Sequence, residues 1–485
     1  MSVNIVDIGK NRFKIVGLTD AQLTKLTESL SWRDPSAFMN KSFVLGLSDG
    51  MRSVISKHGD FRYGLLEAVY TAVHHLFNVT ATMDHKAIIL YKGGSNPGCV
   101  FDDNILPGIT PLYYQRESAI AAMKKLRGVI KLPTASGKSA TIGYIITHLL
   151  RDKPLWKYHV VLVPTQDLVE QFCDDLTRVY GIDRRKVGIW YADAKSWMPM
   201  MPILITTRAS LALNDNMKAH FAANLTVIYN DECHGSGSDT VDAIMADVSP
   251  VAVYGFTGSM PKDKYTLHCV FGNNGPIIYR KDTKDLQAEG FLPGCTVIIV
   301  DCETKSLEEY PDHNLERAAV SGDPLYMSQA VAIIKREESF KRNSLILVQN
   351  VSAGRVLQQN TGYTFIHGEN TSAGDNEIFK EILEKSDGVS FIATYQKYST
   401  GISIKNLHTI MFYEQPAGDI KMIQSIGRGL RRHLSKVTDK PVRIIDLFTD
   451  KKYSKRHKSK RINTYEEEGF RIIQTTFDMV NGFVN

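Results

Sequence analysis

The pattern of apolar and polar positions changes character about a fifth of the way along the chain. Residues 13–16 and 87–91 carry strand-like apolar runs, while residues 20–30 and 64–77 repeat their apolar positions with helical spacing. A turn-rich stretch, Gly93-Gly94-Ser95-Asn96-Pro97-Gly98, closes this part, and residues 104–110 read as a linker. Residues 1–105 are therefore expected to form a small accessory domain of mixed α and β structure. From residue 111 onward, short β-branched runs at 128–132, 159–163, 203–206, 226–230 and 251–256 alternate with helical stretches. That alternation predicts βαβ units and a parallel sheet with helices on both faces. It restarts after Phe291-Leu292-Pro293-Gly294, with buried-strand candidates at 297–300, 344–348, 364–366, 390–393 and 409–412. Two consecutive α/β domains are expected, 106–288 and 289–450, followed by a basic segment and a terminal helix over 451–485.

Composition adds little to this and removes several alternatives. Hydrophobic residues make up 43% and charged residues 23% of the 485, the proportions of a globular protein rather than a disordered one. Lys plus Arg exceed Asp plus Glu by 58 to 52, a net +6 that permits a nucleic-acid partner without requiring one. The basic residues concentrate locally, with seven Lys or Arg among residues 451–461. That run could bind a duplex electrostatically or be a solvated tail. Cys99, Cys173, Cys233, Cys269, Cys295 and Cys302 form no CxxC pair and have no zinc-type spacing to histidine, so they read as free, mostly buried thiols in a reducing compartment. The N-terminus lacks the apolar core of a signal peptide, and no run of eighteen apolar residues occurs; a cytoplasmic protein is expected.

Three clusters carry candidate chemistry. Between the strand at 128–132 and a helix expected from Ser139 lies Pro133-Thr134-Ala135-Ser136-Gly137-Lys138-Ser139. A loop opening a helix presents backbone N–H groups and the positive dipole end to an anion, which suits a nucleotide phosphate. Lys138 would reach the β and γ phosphates, the Ser139 hydroxyl would bind Mg2+, and Gly137 would allow close backbone approach. Leu132 stands where the GxxxxGK[ST] pattern has its first glycine, so the segment taken alone serves equally as a helix cap. The second cluster, Asp231-Glu232-Cys233-His234, ends a buried-strand candidate. Adjacent carboxylates there call for a cation, with Asp231 on Mg2+ and Glu232 orienting and deprotonating a water; the bland alternative is a solvated acidic turn. The parallel sheet would bring both loops to one edge. The third is Gln424-Ser425-Ile426-Gly427-Arg428-Gly429-Leu430-Arg431. Arg428 and Arg431, three apart, can reach one anion, and an arginine at a transferring phosphoryl group stabilises its charge; a solvated basic helix face is the alternative.

Taken in order, these residues resemble the superfamily 2 helicases over roughly residues 111–446. Tyr114-Gln115 looks like the adenine-reading element, with the Gln115 amide as reader. Val163-Pro164-Thr165 resembles motif Ia, Thr206-Thr207-Arg208 motif Ib, and Asp231 through His234 a DECH form of the DExH box. Thr257-Gly258-Ser259 resembles the coupling motif III, Leu347 through Asn350 motif IV, Ser399-Thr400-Gly401 motif V, and Gln424 through Arg431 motif VI. Within the family, LPTASGKS, NDECH, STGISIKNLH and QSIGRGLRRH look like the phage recombination helicases of the UvsW group, which share the departure at Leu132. The resemblance implies two tandem RecA-like domains behind an accessory, DNA-binding N-terminal domain. It implies an ATP site formed by Gln115, residues 132–139 and Gly401, with catalytic groups Lys138, Asp231, Glu232, Gln424, Arg428 and Arg431, and with ATP and Mg2+ as cofactors. His234, Thr257 and Ser259 would couple that site to motion. His234 could equally be a satisfied structural histidine. Thr165, Thr207, Arg208, Gln349 and Thr400 would hold nucleic-acid phosphates. Unwinding or branch migration of forked and junction DNA in phage replication, recombination and repair is the implied activity. An RNA helicase, or an ATP-gated clamp without unwinding, remains the alternative.

Overall fold

The computed structural model describes residues 2–34, 37–92, 100–306, 308–368, 385–400 (side chains to 398), 406–414, 422, 425–427 and 441–479. They fall into two compact units, Met1–Leu132 with Gly137–Lys281, and Pro133–Ser136 with Asp282–Asn485.

The first unit begins with β1 (Asn4–Gly9), β2 (Arg12–Val16), β3 (Ser31–Arg33), β4 (Met51–Ser53), β5 (Asp60–Arg62) and β6 (Thr82–Met83). A four-stranded sheet in the order β5-β2-β1-β6 packs helices Asp20–Ser29 and Leu66–Phe77 over a core that includes Ile5, Phe13, Leu26, Phe61 and Val69. Thr19 starts the first helix through a reciprocal capping box with Gln22. Residues 87–91 are not a strand. Asp84 accepts a hydrogen bond from Ala87 N at 2.8 Å, and the helix His85–Lys92 follows. A cap thus overrides a short β-branched run whose periodicity alone is ambiguous. This module has its own core but is tied to the rest of the unit. Arg12 and Arg62 bond the two Asp242 oxygens at 3.0 and 2.5 Å, and Trp32 stacks on His268 with 4.1 Å between ring centroids.

Eight further strands form the main sheet of this unit: β7 (Arg127–Lys131), β8 (Tyr158–Val163), β9 (Val187–Tyr191), β10 (Ala194–Lys195), β11 (Ile203–Thr207), β12 (Thr226–Asp231), β13 (Ala252–Thr257) and β14 (Ile277–Arg280). Their order is β10-β9-β11-β8-β12-β13-β7-β14, parallel except for β10. All six residues of β8 are buried, as a parallel strand covered on both faces requires. Alternate residues Val160, Leu162, Leu204, Ile228 and Val253 share one cluster with Leu211, Phe221, Val241 and Ile244 from the helices on that face. The register aligns the strand ends. Lys131 pairs with Thr257, Phe256 with Asp231, and Val163 with Thr207. The loops after β7, β8, β11, β12 and β13 therefore leave the sheet along one edge.

The second unit repeats the plan with β15 (Cys295–Asp301), β16 (Ser344–Val348), β17 (Thr364–Ile366), β18 (Ser390–Thr394), β19 (Thr409–Phe412), β20 (Val442–Phe448) and β21 (Arg471–Thr476). The order is β17-β18-β16-β19-β20-β15-β21, parallel throughout. Strand alternation feeds two cores. Leu345, Leu347, Phe391 and Phe412 point to one, and Ile346, Val348, Ile392 and Met411 to the other. The basic run is not a detached tail. Residues Lys452–Glu467 form a helix whose Tyr465 and Arg461 are buried, Tyr465 donating to Asp446 at 2.7 Å and Arg461 pairing with the same carboxylate, and the chain then enters the sheet as β21 beside β15. Among the described residues, Cys173, Cys233, Cys269, Cys295 and Cys302 are free and buried, and no helix is long and apolar enough to cross a membrane.

Candidate functional site

β7 ends at Lys131, and Leu132 is fully buried, its N–H donating to Thr257 O at 3.0 Å. A leucine can therefore replace the usual first glycine, because that position belongs to the core of the sheet edge. The loop that follows turns through left-handed conformations at Ala135 (φ 68) and Gly137 (φ 81), and Ser136 Oγ donates to Pro133 O at 2.7 Å. Gly137 is the cap of the helix Lys138–Asp152. A Cβ at Gly137 would lie 2.4 Å from Gln115 Nε2, so glycine is required both by φ and by the close approach of that amide. Gln115 is buried in the helix Tyr113–Lys124 and accepts from Leu112 N at 3.0 Å through its oxygen. Pro133 and Thr134 complete a loop that opens on a helix start, the arrangement that receives phosphate.

The acidic pair lies across β13 from this loop. Asp231 closes β12, and Glu232 is left-handed (φ 49, ψ 50), an uncommon conformation for a residue with a side chain. Lys138 Nζ stands 3.6 Å from Glu232 Oε1, and the other oxygen lies 3.3 Å from His234 Nδ1. That imidazole is also 3.0 Å from the Thr257 hydroxyl, which donates to Ser259 O at 2.7 Å. The hydroxyl is then free to accept from His234 only if Nδ1 carries the proton. The structure therefore brings Lys138, Glu232, His234, Thr257 and Ser259 into one chain of contacts. Asp231 stands apart from that chain. Burial, with the Glu232 charge adding to it, pushes its carboxyl up to about 6, against the pull of Lys138. Its Oδ1 is buried with no hydrogen-bond partner. A buried oxygen with an open valence beside a second carboxylate suits a hard divalent cation such as Mg2+. Ser139 does not meet it as expected; its hydroxyl is 2.6 Å from the Tyr180 hydroxyl and 3.3 Å from Asp175 Oδ2.

The expected nucleic-acid residues differ from one another. Thr165 caps the helix Gln166–Asp174, and its Oγ1 is buried and unpartnered. Thr207 is nine-tenths buried and caps the short helix Arg208–Ala212, its hydroxyl bonded to Ser210. Arg208 requires a correction. Its guanidinium turns inward, with Nε on Asn230 Oδ1 at 3.1 Å and Nη2 on the carbonyls of Asp231 and Glu232 at 2.5 and 2.8 Å. Three acceptors at the strand end outcompete solvent for a planar donor fork. In the second unit, the N–H groups of Gln349 and Asn350 donate to Glu414 Oε2 at 2.7 and 2.8 Å, and Gln349 Oε1 is enclosed without a partner. Gly401, Gln424, Arg428 and Arg431, and the side chain of Thr400, lie outside the described residues. The inward turn of Arg208 and the Ser139–Tyr180 bond left no mark in the spacing of the sequence.

Two family models match the chain, the res subunit of type III restriction enzymes over residues 108–262 and the helicase conserved C-terminal domain over residues 327–433. The ATP-dependent DNA helicase UvsW of enterobacteria phage T4 is 24% identical over 410 residues, covering 76% of this chain and 78% of its own. The crystal structure of T4 UvsW superposes with a TM-score of 0.50 at 20% identity, over 98% of this chain and 99% of that one. S. cerevisiae Dbp5 bound to RNA and ADP BeF3 gives a TM-score of 0.55 at 14% identity over 80% of this chain and 97% of its own. These likenesses identify both parallel sheets as RecA-like domains in tandem. With the phosphate loop and the acidic pair on one strand-end edge, on either side of β13, and with family models matching both parallel-sheet regions, the chain belongs to the superfamily 2 helicases, and the UvsW helicase of phage T4 is among its relatives.

Proposed function

We propose that the protein is an ATP-dependent DNA helicase or translocase that unwinds or branch-migrates forked and junction DNA in phage replication, recombination and repair. The observation that carries this reading is the open-valence carboxylate of Asp231 at the strand end beside the Lys138–Glu232 pair. The loop of residues 132–139 would hold the ATP phosphates, with Gln115 and Gly401 contributing to nucleotide binding. Asp231, and Ser139 once turned from Tyr180, would hold Mg2+, which offsets charge on the β and γ phosphates when bound. The γ-phosphate would draw Lys138 off Glu232. That would leave the carboxylate free to take a proton from the attacking water. Gln424, Arg428 and Arg431 would stabilise the phosphoryl group, and the contact chain from Glu232 through His234 to Thr257 and Ser259 would report its state.

DNA as partner is supported by the name of the UvsW relative, an ATP-dependent DNA helicase. Thr165, Thr207 and Gln349 lie at or just beyond strand ends and Thr400 closes the helix Tyr395–Thr400; together they would hold phosphates without reading sequence. A further contact is provided by the helix Lys452–Glu467. Lys452, Lys455 and Arg456 are exposed on its outer side and form no ion pair among the described residues, whereas Lys458 is paired with Asp301 and Arg461 with Asp446. The test is ATP-dependent unwinding across a panel of forked, junction, linear duplex and single-stranded DNA, with matched RNA. Preferential action on forked and junction DNA is expected. Stimulation by RNA alone, or ATP binding without strand separation, would replace the reading with an RNA helicase or a clamp.

A further inference from the structure

We infer that Arg208 is a positioning residue for ATP hydrolysis, fixing the acidic loop through its main-chain carbonyls rather than through either carboxylate. The inference rests on the reading of that loop as an ATPase centre. Arg208 opens a short helix immediately after β11, on the strand-end edge where phosphate contacts are expected, yet two of its nitrogens face the opposite way. Nη2 bridges the carbonyls of Asp231 and Glu232, the two residues whose side chains carry the chemistry. Nε reaches the Asn230 amide oxygen one residue earlier. One guanidinium thus spans three consecutive residues through the turn in which Glu232 is left-handed.

The packing around this contact is built for it. A Cβ at Gly235 would stand 2.9 Å from Arg208 Nη1, so the turn lies close against the guanidinium. From the other side, Asn230 Nδ2 donates to Asn274 Oδ1 at 3.2 Å, Asn274 Nδ2 to Ser236 Oγ at 2.6 Å, and Ser236 Oγ to Cys233 O at 2.5 Å. The turn is clamped between Arg208 and this amide–hydroxyl chain. The guanidinium is largely desolvated, and the Asp231 and Glu232 charges favour keeping it ionised. A cation bonded to main-chain carbonyls offsets the charge of the acidic pair without occupying an oxygen that must bind metal or accept a proton. A side-chain salt bridge would occupy one.

The test compares Arg208→Ala and Arg208→Lys with wild type in two measurements, ATP turnover with and without forked DNA, and DNA affinity as a function of salt. A misplaced carboxylate lowers kcat, by about a hundredfold for displacements near 1 Å, with little change in the KM for ATP. Arg208→Lys should recover part of that loss, because an ammonium can still donate to both carbonyls. The salt slope of DNA binding should match wild type in both variants. A phosphate contact gives the opposite result, a slope smaller by about 0.9 with kcat intact at saturating DNA, and that outcome would overturn the inference. If Arg208→Ala shows no cooperative melt, Arg208→Lys decides alone. A reduced kcat with an unchanged slope sustains the role, and a wild-type kcat refutes it. A wild-type protein that hydrolyses ATP without DNA stimulation would sink the helicase reading, while Arg208 would still be judged from DNA-free turnover.

Discussion

Two carboxylates at the strand-end edges of the two sheets, Glu414 buried and Asp231 half-buried, have opposite surroundings. In the second unit, Glu414 accepts from Gln349 N, Asn350 N and Asn350 Nδ2 at 2.7, 2.8 and 3.2 Å, and its own carbonyl takes the Tyr395 hydroxyl at 2.7 Å. In the first unit, Asp231 has an oxygen with no donor at all and a carboxyl pushed up to about 6. The fold can satisfy a buried acid when the acid is there to join strand ends, as Glu414 does. It leaves Asp231 unsatisfied where we propose that a ligand completes it, and the cost appears as a raised proton affinity.

The largest effect tests whether the second unit's sequence takes part in the chemistry of the first. Arg428→Ala is expected to reduce ATP turnover by roughly 10³–10⁵ while ATP and DNA binding persist. Loss of nucleotide binding in that variant would assign Arg428 to holding ATP instead. Next comes the contrast between the two acids themselves. Glu414→Gln should destabilise the protein by about 1.5–3 kcal/mol in urea unfolding, because charge-assisted bonds to backbone N–H groups are weakened. Asp231→Asn should do the reverse in ligand-free protein above pH 6. The folded carboxyl binds its proton more tightly than the usual value of 3.8, so its favourable contribution is complete below that value and is lost as pH rises through about 6. The variant should flatten that part of the stability profile and raise the melting temperature at pH 8. Equal destabilisation in both variants would erase the distinction drawn between them. The smallest effect belongs to the second unit's outer helix. Replacing Lys452, Lys455 and Arg456 together by glutamine should lower the salt slope of duplex binding by about 2–3, with DNA-free ATP turnover unchanged. An unchanged slope would make that face merely solvated.

Much of both sheets can be read directly from the chain, because parallel strands covered on both faces leave continuous apolar runs. β8 (Tyr-His-Val-Val-Leu-Val) and β16 (Ser-Leu-Ile-Leu-Val) are such runs, and the loops that follow inner strands hold the phosphate and acidic motifs. Strands toward the sheet edges are harder to read. β14 and β21 mix polar and partly exposed positions, and β21 follows a basic helix that hides it. The helix at His85–Lys92 was misleading for the converse reason, an apolar run whose Asp84 cap decides its form. Within the site, residue types and order point to Lys138, Asp231 and Glu232. The bonds made by Arg208 and Ser139 depend on partners far off in sequence, Asn230, Asp175 and Tyr180, which no local pattern brings together.

Steady-state ATP hydrolysis by wild-type protein and Glu232→Gln, each with and without forked DNA, tests the catalytic site most directly. Wild type should turn over ATP and be stimulated by DNA. Glu232→Gln should bind ATP but lose turnover by about 10²–10⁴ under both conditions, since the amide cannot take the proton of the attacking water. Turnover that survives in Glu232→Gln would contradict the assignment of the acidic pair at the end of β12 as the hydrolytic centre.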